Sequence, residues 1–279
     1  MIYQYRQPSY HLRDYVRDYV LAHFVMDTSQ EVPLKPFPAK PQGGILFLIK
    51  GFVVANTPSL SITEKREQAL VVGQQEYRQT LQLSHEFLMI DVIFQPGALY
   101  KLLGIPMTEL LNKHMDAELL FGQEIRDIND RLANAFCYET MFTIIEKFLL
   151  EKIVKVKDSL HPVDKMGQFI LDNPHSFNLD SLANQACLSQ RQFERRFVQQ
   201  VGITPRFYQR MGRFRKAFEL KLRHSKLAWQ DVAWQTGYAD YQHLVKDCKQ
   251  FSGNTPNELI AEQNHSPSEM LGIKLQFYR

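Results

Sequence analysis

Cysteine is scarce in this chain, and cysteine chemistry has little basis in the sequence. Three cysteines occur among the 279 residues, Cys137, Cys187 and Cys248, and no two of them form a CxxC pair. An odd number of widely spaced cysteines predicts neither a disulfide framework nor a cysteine-rich zinc site. We interpret them as small buried apolar residues in a reducing compartment.

Long hydrophobic runs are missing as well. Although 44% of the residues are hydrophobic, no run approaches the roughly 18 apolar residues that a membrane-spanning helix needs. The first residues, MIYQYRQPSYHLRDYV, lack the basic-then-apolar order of a signal peptide. We therefore expect a cytoplasmic protein without a membrane partner, and its length favours two domains over one.

Motifs of the common enzyme classes do not occur. The sequence contains no phosphate-cradling glycine loop, no GxSxG elbow and no zinc-finger spacing. The histidines of the first 157 residues form no HxH or HxxxH pair; they are His11, His23, His85 and His114. We therefore expect no catalytic residues, no metal and no cofactor.

Positive charge is concentrated in one segment. Between Ser189 and Arg223 there are ten Lys or Arg residues and two acidic residues, Glu194 and Glu219, whereas the whole chain carries only +3. Such a cluster favours a polyanionic partner such as a nucleic acid, although a basic helix face is more often simply solvated. Charge alone leaves both interpretations open.

The same pattern occurs twice in this region. LANQACLSQRQFERRFVQQVGITP begins at Leu182, and VAWQTGYADYQHLVKDCKQFSGNTP begins at Val232. Each copy predicts a helix, a turn and a second helix, with Ser189 or Asp240 as the N-cap of the second helix. Ser189 and Gln192 predict a capping box, and the second copy has one more residue in its turn.

Two such units joined by a helix resemble the C-terminal DNA-binding domain of the AraC/XylS family of transcription regulators. The resemblance covers residues 163 to 262 and includes DVAWQTGYADYQHLVKDCKQFSGNTP, which is similar to the family signature. Cys187 stands where the first turn often has glycine, and Ala228 where a capping Ser or Thr is usual. Double-stranded DNA is the implied partner, and contact with RNA polymerase is expected as well.

The two second helices are predicted to be recognition helices. With Phe193 and Phe197 turned to the core, the candidate base-reading residues of the first are Gln190, Arg191, Glu194 and Arg195. With Leu244 and Cys248 turned to the core, the candidates of the second are Tyr241, Gln242, Val245 and Lys246 for base edges, and His243 and Lys249 for phosphates. The first helix has a net charge of +2, whereas Asp240 and Asp247 balance Lys246 and Lys249 in the second. We therefore expect the first helix to dominate base reading.

The helix from Pro205 to Arg223 is predicted to join the two units. Phe207, Met211, Phe214, Phe218 and Leu222 recur at helical spacing, so most of this stripe is expected in the core. Three arginines lie on the polar face: Arg210, Arg213 and Arg215. Contact with the DNA backbone and a structural role are both open for them.

The N-terminal part is expected to be rich in strands. The runs YVLAHFVM, GGILFLIKGFVVA, ALVVG and FLMIDVIF are separated by Pro, Gly and polar residues, which is typical of a sheet or barrel. PMTELLNKH and a following stripe predict helices; the stripe contains Ile128, Leu132, Ala135, Phe142, Ile145, Leu149 and Ile153. These helices either cover the sheet or form a dimer interface.

VVGQQ and VIFQPGALYKLLGIP resemble a sensor domain of cupin-like fold that precedes the same DNA-binding module in part of the family. The resemblance implies binding of a small-molecule effector or homodimerisation, with effector-binding residues unknown. We therefore predict an α+β protein: a strand-rich, cupin-like domain with helices over residues 1–157, an all-α double helix-turn-helix domain over 158–263, and a tail over 264–279.

Two enzymatic alternatives have less support in the sequence. A cupin-type metal-dependent enzyme fused to the DNA-binding module would need two histidines and a carboxylate as ligands, and the four histidines offer no paired spacing. A DNA-repair protein with a methyl-accepting cysteine would need a reactive thiol near the N-terminus, and Cys137 is the only cysteine in the first 157 residues. A DNA-binding transcription regulator is the function that the sequence favours.

Overall fold

The computed structural model describes residues 2–66, 68–156 and 162–265. Strand-forming runs and polar stretches alternate through the first part, which folds into ten strands among its described residues. They are β1 (Ile2–Arg6), β2 (Val16–Val25), β3 (Lys35–Phe37), β4 (Gly44–Lys50), β5 (Val53–Thr57), β6 (Ile62–Arg66), β7 (Ala69–Val72), β8 (Gln79–Leu83), β9 (Glu86–Phe94) and β10 (His114–Asp116).

The strands form two antiparallel sheets. One has the order β1-β2-β9-β4-β7-β10, and the other has the order β3-β8-β5-β6. Because neighbouring residues of a strand point to opposite faces, β2 turns Tyr19 and Leu21 to one core and Ala22 and Phe24 to another. The second of these cores lies between the two sheets, so the six-stranded sheet is covered on both faces. The strand-rich, cupin-like expectation is confirmed.

Helices cover the outer face of the six-stranded sheet. They are α1 (Ala98–Leu103), α2 (Ala117–Phe121), α3 (Gln123–Ala133) and α4 (Tyr138–Ile153). Ile145 and Leu149 are fully buried in the core beneath α4, and Ile153 packs against the same core. Of the two interpretations of this stripe, covering the sheet is therefore the one that the structure supports, and the stripe offers no exposed dimer surface.

One helix prediction in this domain was wrong. PMTELLNKH forms a short 3₁₀ helix, Met107–Leu110, followed by a left-handed residue, Asn112, with φ of 57°. The next residues belong to β10, which pairs with β7 at the edge of the sheet. Pairing with β7 therefore replaces the helix that the local sequence favours.

The second part of the chain is helical. It contains α5 (Pro162–Asp172), α6 (Leu179–Gln185), α7 (Gln190–Val201), α8 (Pro205–Arg223), α9 (Trp229–Gln235), α10 (Tyr241–Ser252) and α11 (Pro256–Asn264). The pairs α6/α7 and α9/α10 are the two helix-turn-helix units, with four and five residues between their helices. The extra residue in the second turn confirms the spacing difference between the copies.

Extensive contacts join the two parts of the chain. Lys101 of α1 forms a buried ion pair with Asp164 of α5. Arg78 donates hydrogen bonds to the Ser252 carbonyl oxygen at 3.0 Å and to Glu262 at 2.9 Å. The C-terminal end of α7 meets the first part at Met107, where a Cβ on Gly202 would lie 3.1 Å from the carbonyl oxygen. The predicted boundary at residues 157 and 158 lies outside the described residues, as does most of the predicted tail.

Candidate nucleic-acid interface and ligand cavity

Capping side chains define the start and end of the recognition helix α7. Ser189 and Gln192 form the predicted capping box, and Gly202 ends the helix in the left-handed region with φ of 94°. Phe193 and Phe197 are fully buried, and their rings lie 5.9 Å apart. Since the helix has one buried face and fixed ends, the opposite face has a defined direction toward solvent.

The exposed face of α7 presents two arginines one turn apart. Arg191 and Arg195 are exposed, and neither makes an ion pair with any residue that the structure describes. Gln190 is exposed, but its amide donates a hydrogen bond to Asp180 of α6, and Glu194 is half-buried. The two arginines are therefore the groups of this helix that are most available to an anionic partner.

The recognition helix α10 is built in the same way. Asp240 caps it by accepting a hydrogen bond from the backbone N–H of His243, which holds the pKa of this carboxyl below its usual range. Leu244 and Cys248 are fully buried as predicted. The candidate residues divide into two groups: Gln242, His243, Lys246 and Lys249 are exposed, whereas Tyr241 and Val245 are half-buried. His243 Nδ1 also lies 3.0 Å from its own cap, Asp240.

Asp247 is a buried connection between α10 and α8. It is 3% exposed, and its Oδ1 accepts hydrogen bonds from Arg210 Nε at 3.1 Å and from Arg210 Nη2 at 2.6 Å. Its Oδ2 accepts one from the Tyr238 hydroxyl at 3.2 Å, and Arg213 Nη2 lies 3.5 Å away. The Arg213 guanidinium also stacks 4.1 Å from the Tyr238 ring centroid. Arg210 and Arg213 therefore have a structural role.

The burial of Asp247 corrects the charge balance that the sequence predicted for α10. The negative charge of Asp247 is buried and compensated by two arginines of α8, so it does not offset Lys246 at the surface. The third arginine of the polar face, Arg215, lies 3.6 Å from Glu219 on its own helix. The electrostatic difference between the exposed faces of α7 and α10 is therefore smaller than the sequence suggested.

The cysteines differ from expectation. Only Cys248 is buried, whereas Cys137 and Cys187 are exposed. Cys187 lies in the turn of the first unit with φ of 54°, and Gly237 occupies the corresponding turn of the second unit with φ of 80°. A left-handed conformation costs a residue with a side chain roughly 1–2 kcal/mol. That cost explains why glycine suits this turn.

The histidines lie apart from one another. His23 Nδ1 is 2.7 Å from the Tyr138 hydroxyl, His85 Nε2 is 2.9 Å from the Gln30 carbonyl oxygen, and His114 Nδ1 is 3.2 Å from Glu64. Within residues 2–66, 68–156 and 162–265, no three His, Cys, Asp or Glu side chains are grouped as a metal ion would require.

No helix of the described ranges is both long enough and apolar enough to cross a membrane.

A cavity of about 120 Å³ lies between the two sheets. Its walls are largely apolar and include the aromatic side chains Tyr3, Phe24, Phe37 and Phe87. Charged side chains of four residues also line it: Lys35, Lys40, Arg66 and Asp91. A largely apolar cavity with a few polar groups is the usual form of a small-molecule site.

The lysines of this cavity are strongly desolvated. Burial lowers the pKa of Lys35 to about 8, and burial together with the nearby Lys35 lowers the pKa of Lys40 to about 7. Burial raises the pKa of Asp91 to about 6, although Lys40 acts in the opposite direction. The ammonium of Lys35 lies 5.9 Å from the Tyr3 ring centroid, and that of Lys40 lies 4.4 Å from the Phe37 ring centroid.

Sequence reasoning missed these lysines. They belong to the segment LKPFPAKPQGG, residues 34–44, whose prolines and glycines are typical of a loop. A signal that could have identified them is the absence of any acidic residue from this segment, so the two positive charges are not balanced within it.

Replacing Lys35 with methionine should stabilise the folded protein. Lys35→Met removes a desolvated charge and keeps the length of the side chain, so we expect the free energy of unfolding at pH 7 to rise by about 1 kcal/mol or more. Because the folded pKa is about 8 and the ordinary value is about 10.4, the unfolded chain binds more protons between these values. The contribution of Lys35 to stability therefore increases with pH through that window, and the variant should lack this increase.

Urea unfolding at pH 7 and at pH 10 measures both effects. Lys147→Met, at an exposed position of α4, is the matched control. It should change neither the free energy of unfolding at pH 7 nor the dependence of that free energy on pH. A destabilised Lys35→Met protein at pH 7 would contradict the prediction.

Two family models match the chain. One, described as a helix-turn-helix domain, covers residues 182–262, and the other, described as a domain of unknown function (DUF6597), covers residues 4–116. The first range spans both helix-turn-helix units and the connecting helix α8.

Curated relatives include the HTH-type transcriptional activator RhaS. RhaS of Escherichia coli (strain SMS-3-5 / SECEC) is 41% identical over 133 residues, which are 47% of each chain. RhaS of Escherichia coli O139:H28 (strain E24377A / ETEC) is 41% identical over 67 residues, which are 24% of each chain. The chain thus spans between a quarter and a half of the length of these relatives.

Solved structures of ToxT show a similar two-domain fold. Apo ToxT of Vibrio cholerae strain SCE256, a single-residue variant, is 13% identical, with a TM-score of 0.50 over 92% of this chain and 99% of that one. ToxT of Vibrio cholerae O395 bound to (E)-4-(8-methylnaphthalen-1-yl)but-3-enoic acid is 11% identical, with a TM-score of 0.50 over 88% of this chain and 99% of that one. At this identity the similarity shows the fold alone. The matched helix-turn-helix model, the similarity to RhaS and the paired units α6/α7 and α9/α10 together show that residues 182–262 form a helix-turn-helix domain similar to that of the transcriptional activator RhaS.

Proposed function

We propose that the chain is a sequence-specific DNA-binding transcription regulator, controlled through its N-terminal domain by a small-molecule effector. The observation that carries the proposal is the exposed pair Arg191 and Arg195 on a capped recognition helix of an AraC/XylS-type domain. Guanidinium groups one turn apart on a helix face can grip the O6 and N7 atoms of guanine in the major groove. The duplication places two such helices on one chain.

The proposed interface contains the ten residues predicted from the sequence, with different weights. Arg191 and Arg195 on α7, and Gln242 and Lys246 on α10, are exposed and suited to base edges. The half-buried Tyr241 and Val245 contribute apolar contact, and the exposed His243 and Lys249 are suited to phosphates. Gln190 must first release Asp180 to reach a base, and the half-buried Glu194 is suited to accept a hydrogen bond from cytosine N4.

Further parts of the proposal rest on the family. Residues 1–157 are proposed as the sensor domain, residues 158–263 as the DNA-binding domain and residues 264–279 as a tail. A second copy of the chain and RNA polymerase are proposed partners, and the cytoplasm is the proposed location because the target DNA lies there. The relatives are transcription regulators, which supports a regulator without catalytic activity.

Selection of bound fragments from genomic DNA, followed by footprinting, tests the proposed function. The full chain should protect a defined sequence, and its affinity should fall steeply with salt because several phosphate counterions are released. Uniform, sequence-independent protection would contradict the proposal.

Arg195→Ala should weaken binding to the selected site. We expect a loss of about 1–3 kcal/mol and a relaxed preference at one base pair, because a bidentate contact to guanine disappears. Lys246→Ala should cost less, since an ammonium is a point charge without the fixed donor fork of arginine. Competition binding against single-base variants of the site measures both losses. If Lys246→Ala abolishes sequence preference while Arg195→Ala leaves it unchanged, the assignment of α7 as the main reader is wrong.

A further inference from the structure

Residues 38–42, Pro38 to Gln42, connect the cavity with the DNA-binding domain. Lys40 lines the cavity. On either side of Lys40, the backbone of this segment binds the helical domain. The backbone N–H of Ala39 donates to the Phe251 carbonyl oxygen of α10 at 2.9 Å, and the Pro41 carbonyl oxygen accepts from the Tyr208 hydroxyl of α8 at 3.4 Å. Ala39 is 1% exposed and belongs to the core of the helical domain.

Residues of the N-terminal domain also bind this segment. The buried amide of Gln74 donates to the Lys40 carbonyl oxygen, and its nitrogen lies 3.7 Å from Met211 Sδ of α8. Gln42 accepts from Arg17 of β2 at 3.1 Å. Pro38 and Pro41 fix the φ angle at two of the five positions. We expect these hydrogen bonds and the two fixed φ angles to limit how much of a shift at Lys40 can be absorbed by backbone rotation.

The charges of the cavity favour an anionic ligand. Lys35, Lys40 and Arg66 line it, and Asp91 is the one carboxylate of its lining. Arg66 has its own partner, Glu64, at 3.7 Å. The lining thus carries more positive than negative charge in a largely apolar space, and an incoming carboxylate can form charge-assisted hydrogen bonds with the ammonium groups of Lys35 and Lys40.

We propose that the cavity binds a small carboxylate with an apolar body, held by Lys35 and Lys40, and that occupancy is transmitted through residues 38–42 to α8 and α10. The inference rests on the proposed function for its DNA readout and extends it to the class of effector and the route of control. A ligand shifts a conformational equilibrium only through contacts that differ between the two states. Here the differing contact is at Lys40, within the segment that holds Phe251 and Tyr208.

Thermal unfolding of the full chain without DNA tests the ligand class. Benzoate and hexanoate serve as probes, with benzyl alcohol and hexanol as neutral counterparts of similar shape. The acids should raise the Tm in a concentration-dependent way, and the alcohols should have much smaller effects. Lys35→Met and Lys40→Met should each abolish the effect of the acids, whereas Lys147→Met should retain it. Equal effects of acids and alcohols, or no effect of either acid, would overturn the ligand class.

Fluorescence anisotropy with the selected DNA site tests the route of control. A saturating acid should change the Kd for DNA by about 5- to 150-fold, the usual range of coupling between two sites. Tyr208→Phe removes the hydroxyl that binds Pro41, and Gln74→Met removes the amide that binds Lys40. In the double variant Tyr208→Phe/Gln74→Met, the acid should still raise the Tm but should change the Kd less than in the unaltered chain. Each single variant should reduce the change in Kd to a smaller extent. An unreduced change in Kd in variants that bind the acid would overturn the route through residues 38–42.

The two proposals fail in different ways. If the chain binds no defined DNA sequence, either alone or with a saturating acid, the proposed function is wrong, while the Tm measurements still report on the cavity. If the chain binds its site and neither acid changes the Tm or the Kd, the regulator survives and the carboxylate inference is rejected.

Discussion

Asp247→Ala should lower the free energy of unfolding of the helical domain by about 3–5 kcal/mol, because it leaves two partly buried guanidinium groups without their common partner. Arg210 and Arg213 both bind this carboxylate, as does the Tyr238 hydroxyl. The Tyr238 hydroxyl is buried, and its pKa is raised mainly by that burial and further by the charge of Asp247. The variant removes the polar link between α8 and α10 and should loosen the second recognition helix.

Tryptophan fluorescence during urea unfolding measures this effect in the correct domain. Both tryptophans of the chain, Trp229 and Trp234, lie in α9 of the second helix-turn-helix unit. Asp240→Ala is the control on the same helix: it removes an N-cap and should cost about 1 kcal/mol. If the two variants lose equal stability, the buried network around Asp247 does not have the importance assigned to it.

Leu149→Asp should unfold the N-terminal domain. Leu149 is fully buried beneath α4, and truncation of such a leucine alone costs about 2–5 kcal/mol. A carboxylate at this position adds the cost of burying a polar or charged group without a partner. Together these costs approach the whole stability of a typical domain, about 5–15 kcal/mol.

Far-ultraviolet circular dichroism and light scattering of the purified variant test this expectation. Lys147→Asp, on the exposed side of the same helix, should leave strand content and solubility unchanged. A Leu149→Asp protein that keeps its sheet but loses a dimer would contradict the burial of this side chain and return α4 to the role of a subunit interface.

The helical domain could be predicted in detail because its signals are local. Ser189, Gln192 and Asp240 act on residues within one turn, and the structure places them as predicted. The burial of Phe193 and Phe197 could be predicted for the same reason, because their spacing defines the buried face of a single helix.

Long-range contacts explain what the sequence did not predict. The apolar runs correspond to strands β2, β4, β5, β7 and β9, whereas β1, β3, β6 and β8 are short, polar or edge strands without a run of their own. The burial of Asp247 depends on two arginines more than 30 residues away, and the cavity lysines become buried only when the two sheets pack. A sequence pattern within one helix or strand does not predict contacts with such distant partners.

The position of residues 38–42 bears on the construction of chimeric regulators. An exchange of N-terminal and helical domains between such proteins would be designed at the proposed domain boundary, residues 157 and 158. In this chain, an N-terminal domain transplanted whole brings Ala39 and Pro41, which fit Phe251 and Tyr208 of its own helical domain. A functional hybrid therefore requires residues 38–42 to match the helices of the protein that supplies the DNA-binding domain. This loop is a second junction that must be designed in addition to the domain boundary.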